Sequence, residues 1–181
     1  YSGKINFLGK DITGFKPSII AKKGIGLKFQ LPSIFNDLTI EENLALGSQK
    51  LTNNLPLYED LDIGRLNMFN NPKLRAGNLS HGQKQWLEIF MVIQKKPRLV
   101  LLDEPTAGMS ATEAQITIDL IRLLVANHGV TVVVIAHDIH FIEKLNCKVT
   151  VMSRGRIIKT DNFFEIRNST EVEEIYFGKN L

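Results

Sequence analysis

Only one cysteine occurs among the 181 residues, so no disulfide can form within the chain. That usage fits a reducing compartment. Cys147 adjoins the apolar run Val149–Met152 and is expected to be a buried, unreactive thiol. Apolar residues never continue for the ~20 positions that a membrane-crossing helix requires. The opening Tyr1-Ser2-Gly3-Lys4 has neither a charged n-region nor an apolar h-region, so no secretion signal is read there. It also lacks an initiator Met, and the chain is expected to begin inside a longer protein. Charge of one sign is scarce as well: 22 Lys and Arg against 19 Asp and Glu leave a net +3. No run of basic residues marks a nucleic-acid face, although mild basicity suits a protein resting against anionic lipid. With 44% hydrophobic and 23% charged residues, the composition is that of a globular chain with a sizeable core. No repeat or low-complexity tract is present. A soluble cytoplasmic protein is the expectation.

The pattern of what is there alternates between strand and helix. Lys4–Gly9 reads as a short strand ending in a Gly-Lys-Asp turn, Ile19–Lys23 as a helix stopped by Gly24, and Ile25–Gln30 as a strand before Pro32. Thr39 and Glu42 have capping-box spacing and open a helix after Leu38. Asn53-Asn54, Pro56, Asn70-Asn71-Pro72 and Gly77 break the next stretch into short helices and loops. Ser80 and Gln83 repeat the capping-box spacing and start a helix through about Gln94, terminated by Pro97. Leu99–Leu102 and Val130–Ile135 are unbroken apolar runs. Between them Ile116, Leu120, Leu123 and Leu124 share one helical face, and Gly129 is the stop. Such runs around an amphipathic helix predict parallel strands covered on both faces. Lys148–Met152 and Arg156–Thr160 form a hairpin through Ser153-Arg154-Gly155, and short helices follow Asn162. The expected organisation is an α/β core, residues 1–36 and 98–181, interrupted by a helical subdomain, 37–97.

Four places carry candidate chemistry. Leu99–Glu104 delivers two carboxylates, Asp103 and Glu104, to the C-terminal end of a strand, where open α/β sheets bind ligands. Asp103 could orient Mg²⁺ and Glu104 could polarise an attacking water; an ordinary acidic turn explains the same residues. His137, at the end of the other apolar run, could contact a γ-phosphate or be a satisfied structural histidine. The Gln30 amide could touch metal and water, or simply lie on the surface. Leu79-Ser80-His81-Gly82-Gln83 opens a helix, whose unpaired N–H groups and partial positive charge favour phosphate. Plain helix capping accounts for it equally well.

Taken in order and at their separations, Gln30, Leu79–Gln83, Asp103 with Glu104, and His137 resemble the Q-loop, signature, Walker B with catalytic glutamate, and H-loop of the ABC ATPases. The resemblance covers nearly the whole chain. Ser2–Ile5 is similar to the family's strand after its first helix, and Asp11–Gly14 to a segment of amino-acid and amide importers. The signature form Leu79–Ile89, Ala107-Gly108-Met109 and Ile175-Tyr176-Phe177-Gly178 resemble the urea-importer ATPase, with the branched-chain amino-acid importer as the alternative.

The resemblance implies an α/β P-loop NTPase core, N-terminally truncated, with an inserted helical subdomain. It implies ATP and Mg²⁺ as cofactors, with Glu104 as general base and His137 on phosphate and water. Asp103 and Gln30 would stand at the metal, and Leu79, Ser80, His81, Gly82 and Gln83 on the ATP of a partner subunit. The implied partners are a second ATPase subunit in a homo- or heterodimer, permeases met around Gln30–Leu38 and, indirectly, an extracytoplasmic solute-binding protein; no nucleic acid is implied. The implied place is the cytoplasmic face of the bacterial inner membrane. Three departures stand out. The Walker A loop Gly-x-x-x-x-Gly-Lys-Ser/Thr is absent, because each Gly-Lys pair precedes Ile, Asp or Asn. Ser110 occupies the usual D-loop aspartate position, and His81 a signature glycine. The chain alone is therefore expected to bind ATP poorly and to be marginally stable.

Overall fold

A computed structural model describes residues 3–31, 33–47 and 66–176, which form two compact units, Tyr1–Ile135 and Ala136–Leu181. Pro32, the interruptions at Asn53-Asn54 and Pro56, and Phe177-Gly178 lie outside the described residues.

In the first unit, the opening stretch is a small antiparallel hairpin rather than one strand. β1 (Asn6–Phe7) pairs with β2 (Lys10–Asp11) around Leu8 and Gly9, both with positive φ. Helix α1 (Pro17–Lys22) takes Pro17 at its first turn and ends before Gly24, whose φ of 94° a side chain would resist. It leads into β3 (Ile25–Lys28). β3, β4 (Leu99–Asp103) and β5 (Thr131–Ile135) form a parallel sheet in that order. Leu27 aligns with Leu101 and Val133, and Lys28 with Leu102 and Val134.

That register separates two faces. Lys28, Val100 and Leu102 are buried on one, whereas Leu27 and Val133 on the other are 44% and 49% exposed and Ile135 is 63% exposed. Among the described residues the sheet is thus packed mainly on one side, and the uncovered apolar face agrees with the expectation of marginal stability.

Helix α2 (Ile40–Gly47) is opened by Thr39, whose Oγ1 accepts from Glu42 N–H while Glu42 accepts from Thr39 N–H. Two 3₁₀ turns, Asn67–Asn70 and Ala76–Asn78, precede α3 (His81–Ile93). Helix α3 is buried almost all round and packs against α2 and β3, with Phe69 edge-on to Phe90 at 5.0 Å. Helix α4 (Ala111–His128) stops at left-handed Gly129 as the sequence predicts. Its buried face is Thr117, Ile118, Leu120, Ile121 and Leu124, turned from the expected one, and Ile116 and Leu123 are only half-buried. The turn follows from Thr117, which accepts a hydrogen bond from Trp86 Nε1 at 3.0 Å and so faces α3.

The second unit begins with α5 (Ile139–Leu145), capped by Asp138. β6 (Lys148–Ser153) and β7 (Arg156–Asn162) form the expected hairpin, turning through Arg154 and Gly155, both left-handed. Helices α6 (Phe163–Arg167) and α7 (Thr170–Tyr176) follow, and Val151, Ile166 and Val172 make the small core. Cys147 is exposed, contrary to expectation, because it precedes β6 rather than sharing its inward side. Crowding around the sulfur still pushes the thiol above its usual range, so the expected low reactivity keeps a physical cause.

Candidate functional site

Parallel pairing brings the C-terminal ends of β3, β4 and β5 to one rim, with Asp103 opposite Ile135. β4 ends in Asp103, and the next residue, Glu104, turns the chain with a left-handed φ of 44°. Glu104 N–H donates to Ile135 O at 2.8 Å, anchoring the turn to the neighbouring strand. Gln30, two residues past β3, donates its Nε2 to Glu104 Oε2 at 3.1 Å. Gln30, Asp103 and Glu104 therefore meet at one rim. His137 lies in the second unit, two residues after Ile135 in the chain.

The segment Leu79–Gln83 divides by burial. Leu79 is 5% exposed and anchors the turn, whereas Ser80 and His81 are exposed. Ser80 Oγ accepts from Gln83 N–H at 3.2 Å, and Gln83 Oε1 accepts from Ser80 N–H at 2.9 Å. This capping box starts α3. Gly82 is buried, and a Cβ there would stand 2.7 Å from Glu113 Oε1. Its missing side chain thus leaves room within this chain, in addition to any room for a ligand. Glu113 is itself held, because its Oε2 accepts from Ser110 N–H at 2.8 Å and Ser110 Oγ caps α4. His81 packs over Gly108, where a Cβ would lie 2.9 Å from the ring, and its Nε2 is 3.2 Å from Gln85 Nε2.

Three polar residues that the sequence reading passed over link these parts. Lys28, wholly buried, donates its ammonium to Phe29 O at 2.8 Å and to Asp103 O at 3.3 Å. Burial pushes its pKa below the usual amine value, and the carboxylates of Glu88, Asp103 and Glu104 push back. Glu88 on α3 is 4% exposed and accepts from Ser33 N–H at 3.1 Å. Burial raises its pKa, opposed by the Ser33 bond and by Lys28. Gln85 donates to Gln30 O at 3.4 Å, tying α3 to the segment after β3. A polar residue on the inner stripe of α3 (Gln85, Glu88) was the readable sign, since apolar periodicity leaves such positions unexplained. Beside this seam lies a groove of about 710 Å³ bordered by Phe29, Ser33, Phe35, Leu46, Glu88 and Met91.

The donor set suits a hard cation at the rim. Asp103 offers a carboxylate, and Gln30, with Nε2 engaged by Glu104, keeps its carbonyl Oε1 as an oxygen ligand. Among the described residues no group of three or more His, Cys, Asp or Glu could hold a metal ion.

The sequence model of the ABC transporter family matches residues 1–107. The chain belongs to this family. Among ABC transporter relatives, the xylose import ATP-binding protein XylG of Escherichia coli (strain K12) is 30% identical over 166 residues, covering 88% of this chain. The chain spans only 32% of that relative's length. Solved structures agree. The ADP conformation of an ATP-binding cassette of an ABC transporter has a TM-score of 0.80 at 25% identity, covering 98% of this chain and 78% of that one. A nucleotide-free ATP-binding cassette gives 0.79 at 27% identity, with the same two coverages of 98% and 78%. The cbiO1 protein of Clostridium perfringens, part of the ABC transporter complex cbiONQ, gives 0.75 at 26%, covering 97% and 73%. The α/β architecture with its parallel sheet is that of the ABC ATPase, P-loop NTPase fold.

Proposed function

We propose that the protein carrying this chain is the ATP-hydrolysing subunit of an ABC importer. The observation that carries the reading is the 3.1 Å bond between Gln30 and Glu104 beside Asp103 at the sheet rim. ATP with Mg²⁺ supplies the transferable phosphoryl group and the cation that neutralises its charge. Glu104 accepts the proton of the attacking water, and His137 contacts that water and the γ-phosphate. Asp103 and the Gln30 carbonyl would hold Mg²⁺, which would neutralise charge on the phosphates. The rim that joins Gln30, Asp103 and Glu104 supports catalytic use over a signature-donating role alone.

Leu79, Ser80, His81, Gly82 and Gln83 serve the ATP of a second subunit, in a homo- or heterodimer. Ser80 is exposed, and α3 presents its first N–H groups there. We also assign 37–97 as the helical subdomain, with 1–36 and 98–181 as the core. Permease subunits would meet Gln30–Leu38, where Leu31 and Phe35 are 77% and 55% exposed next to Phe29 at 56%; Phe29 and Phe35 border the groove. An extracytoplasmic binding protein acts through those permeases, and nucleic acid has no part. No helix among the described residues is long and apolar enough to cross a membrane, so attachment to the cytoplasmic face of the inner membrane is peripheral in this reading.

Urea is the proposed solute, on the form of Leu79–Ile89; a branched-chain amino acid is the alternative, and XylG is named for xylose. The test uses the full-length protein with its permeases. ATP turnover abolished by Glu104→Gln, with ATP still bound, supports the catalytic reading. Turnover that survives this change refutes Glu104 as the base. No turnover in the unaltered protein leaves the signature-donor role. Uptake of labelled urea, leucine and xylose then decides the solute.

A further inference from the structure

We propose that Lys28 is a positioning residue: its ammonium grips the two peptide units that carry Gln30 and Glu104, and so sets the contact between those side chains. One carbonyl it holds, Phe29 O, belongs to the peptide bond leading into Gln30. The other, Asp103 O, belongs to the peptide bond leading into Glu104. The Nζ distances are 2.8 and 3.3 Å, and the side chains beyond those peptides meet at 3.1 Å. One ammonium therefore closes a ring across segments separated by 75 positions in sequence.

The Asp103–Glu104 peptide is held at both ends. Its oxygen accepts from Lys28, and its N–H donates to Ile135 O at 2.8 Å. Fixing that plane constrains Glu104 in the left-handed region, which non-glycine residues occupy only when neighbours over-determine it. The Gln30 side is held likewise, because Gln85 donates to Gln30 O at 3.4 Å.

Packing alone gives no reason for a charge at this position. Lys28 is 0% exposed on the inner sheet face, between the positions of Gly26 and Leu102. A methionine would fill similar volume without desolvating a cation, although it would leave the buried Glu88 carboxyl without its nearby counter-charge. What methionine cannot do is donate to two carbonyls at once.

The catalytic consequence rests on Glu104 acting as the base, whereas the positional claim does not. The experiment therefore has two arms in the full-length protein. In the first, without nucleotide, the side-chain amide resonances of ¹⁵N-labelled glutamine are recorded, with Gln30 assigned through Gln30→Ala. Lys28→Met should move the Gln30 amide to where it lies in Glu104→Ala, with cooperative melting retained; Lys28→Arg should bring it part-way back. In the second arm, Lys28→Met should lower kcat for ATP about 10- to 100-fold with little change in KM. An unchanged Gln30 amide in folded Lys28→Met overturns the proposal. If that variant does not fold, Lys28→Gln takes its place under the same criterion. A displaced amide in a protein that never turns over ATP supports the positioning role and removes the catalytic function instead.

Discussion

Gln30 and Glu104 stand 74 residues apart in sequence, yet the amide of one donates to the carboxylate of the other at 3.1 Å. The bond exists because β3 and β4 are parallel neighbours, which brings both following turns to one rim. Replacing Glu104 by Gln should cut steady-state ATP turnover of the full-length protein about 100-fold or more. Nucleotide affinity, followed by equilibrium binding, should persist. Gln30→Ala should reduce turnover less, since it removes a contact to the base and leaves the base in place.

Trp86 is the sole tryptophan, and its Nε1 donates to Thr117 Oγ1 at 3.0 Å inside the α3–α4 seam. Thr117→Val leaves that buried donor unpaired and should cost about 1–3 kcal/mol. Urea unfolding followed by Trp86 fluorescence reads the loss directly. An unchanged midpoint would mean that another acceptor takes over the indole.

Gly82 and Glu113 compete for the same space, with 2.7 Å between a hypothetical Cβ and Oε1. Gly82→Ala should push Glu113 off its cap on Ser110, costing about 1 kcal/mol. In Glu113→Ala the obstruction is gone, so adding Gly82→Ala should then cost far less. Additive losses in this double-mutant cycle would show that the two sites are independent.

Stability should depend on pH through Glu88. Burial raises its folded pKa above the ordinary 4.5, so the folded state holds the proton more tightly than the unfolded state. Stability from this group is complete below that ordinary value and declines as pH rises from it through the raised folded pKa. Lys28 acts at the other end: its lowered folded pKa makes stability recover as pH climbs towards 10.5. Glu88→Gln should flatten the acidic limb of a plot of urea midpoint against pH. A persisting slope would place the titration elsewhere.

Leu27, Val133 and Ile135 leave one side of the sheet exposed. The 181-residue chain should self-associate as its concentration rises in sedimentation. Val133→Lys should reduce that association. A cooperative, strictly monomeric melt at high concentration would contradict both this expectation and that of marginal stability.

Much of the fold was legible because its cues are local. Thr39 with Glu42, Ser80 with Gln83, and Gly129 each announce a helix end through chemistry contained within four residues. The apolar runs of β4 and β5 likewise announced parallel strands. What stayed hidden depends on distant partners. Lys28 reads as a polar strand residue until Asp103 O arrives from β4. Gln85 and Glu88 break the inner stripe of α3 for the sake of Gln30 O and Ser33 N–H, which no helical period encodes. Ser110 drew notice as a departure from a family pattern, when its spacing to Glu113 also spelled a helix cap. At the site, the meeting of Gln30 with Glu104 followed from strand order. Cys147 misled because an apolar neighbour in sequence is not a cover in space.

The φ of 44° at Glu104 has an evolutionary side. Glycine would relieve the turn of about 1 kcal/mol of backbone strain, so drift released from selection on turnover would run downhill towards losing the carboxylate. Under the proposed catalytic reading, selection on turnover is what holds a carboxylate at a turn that glycine would occupy with less strain.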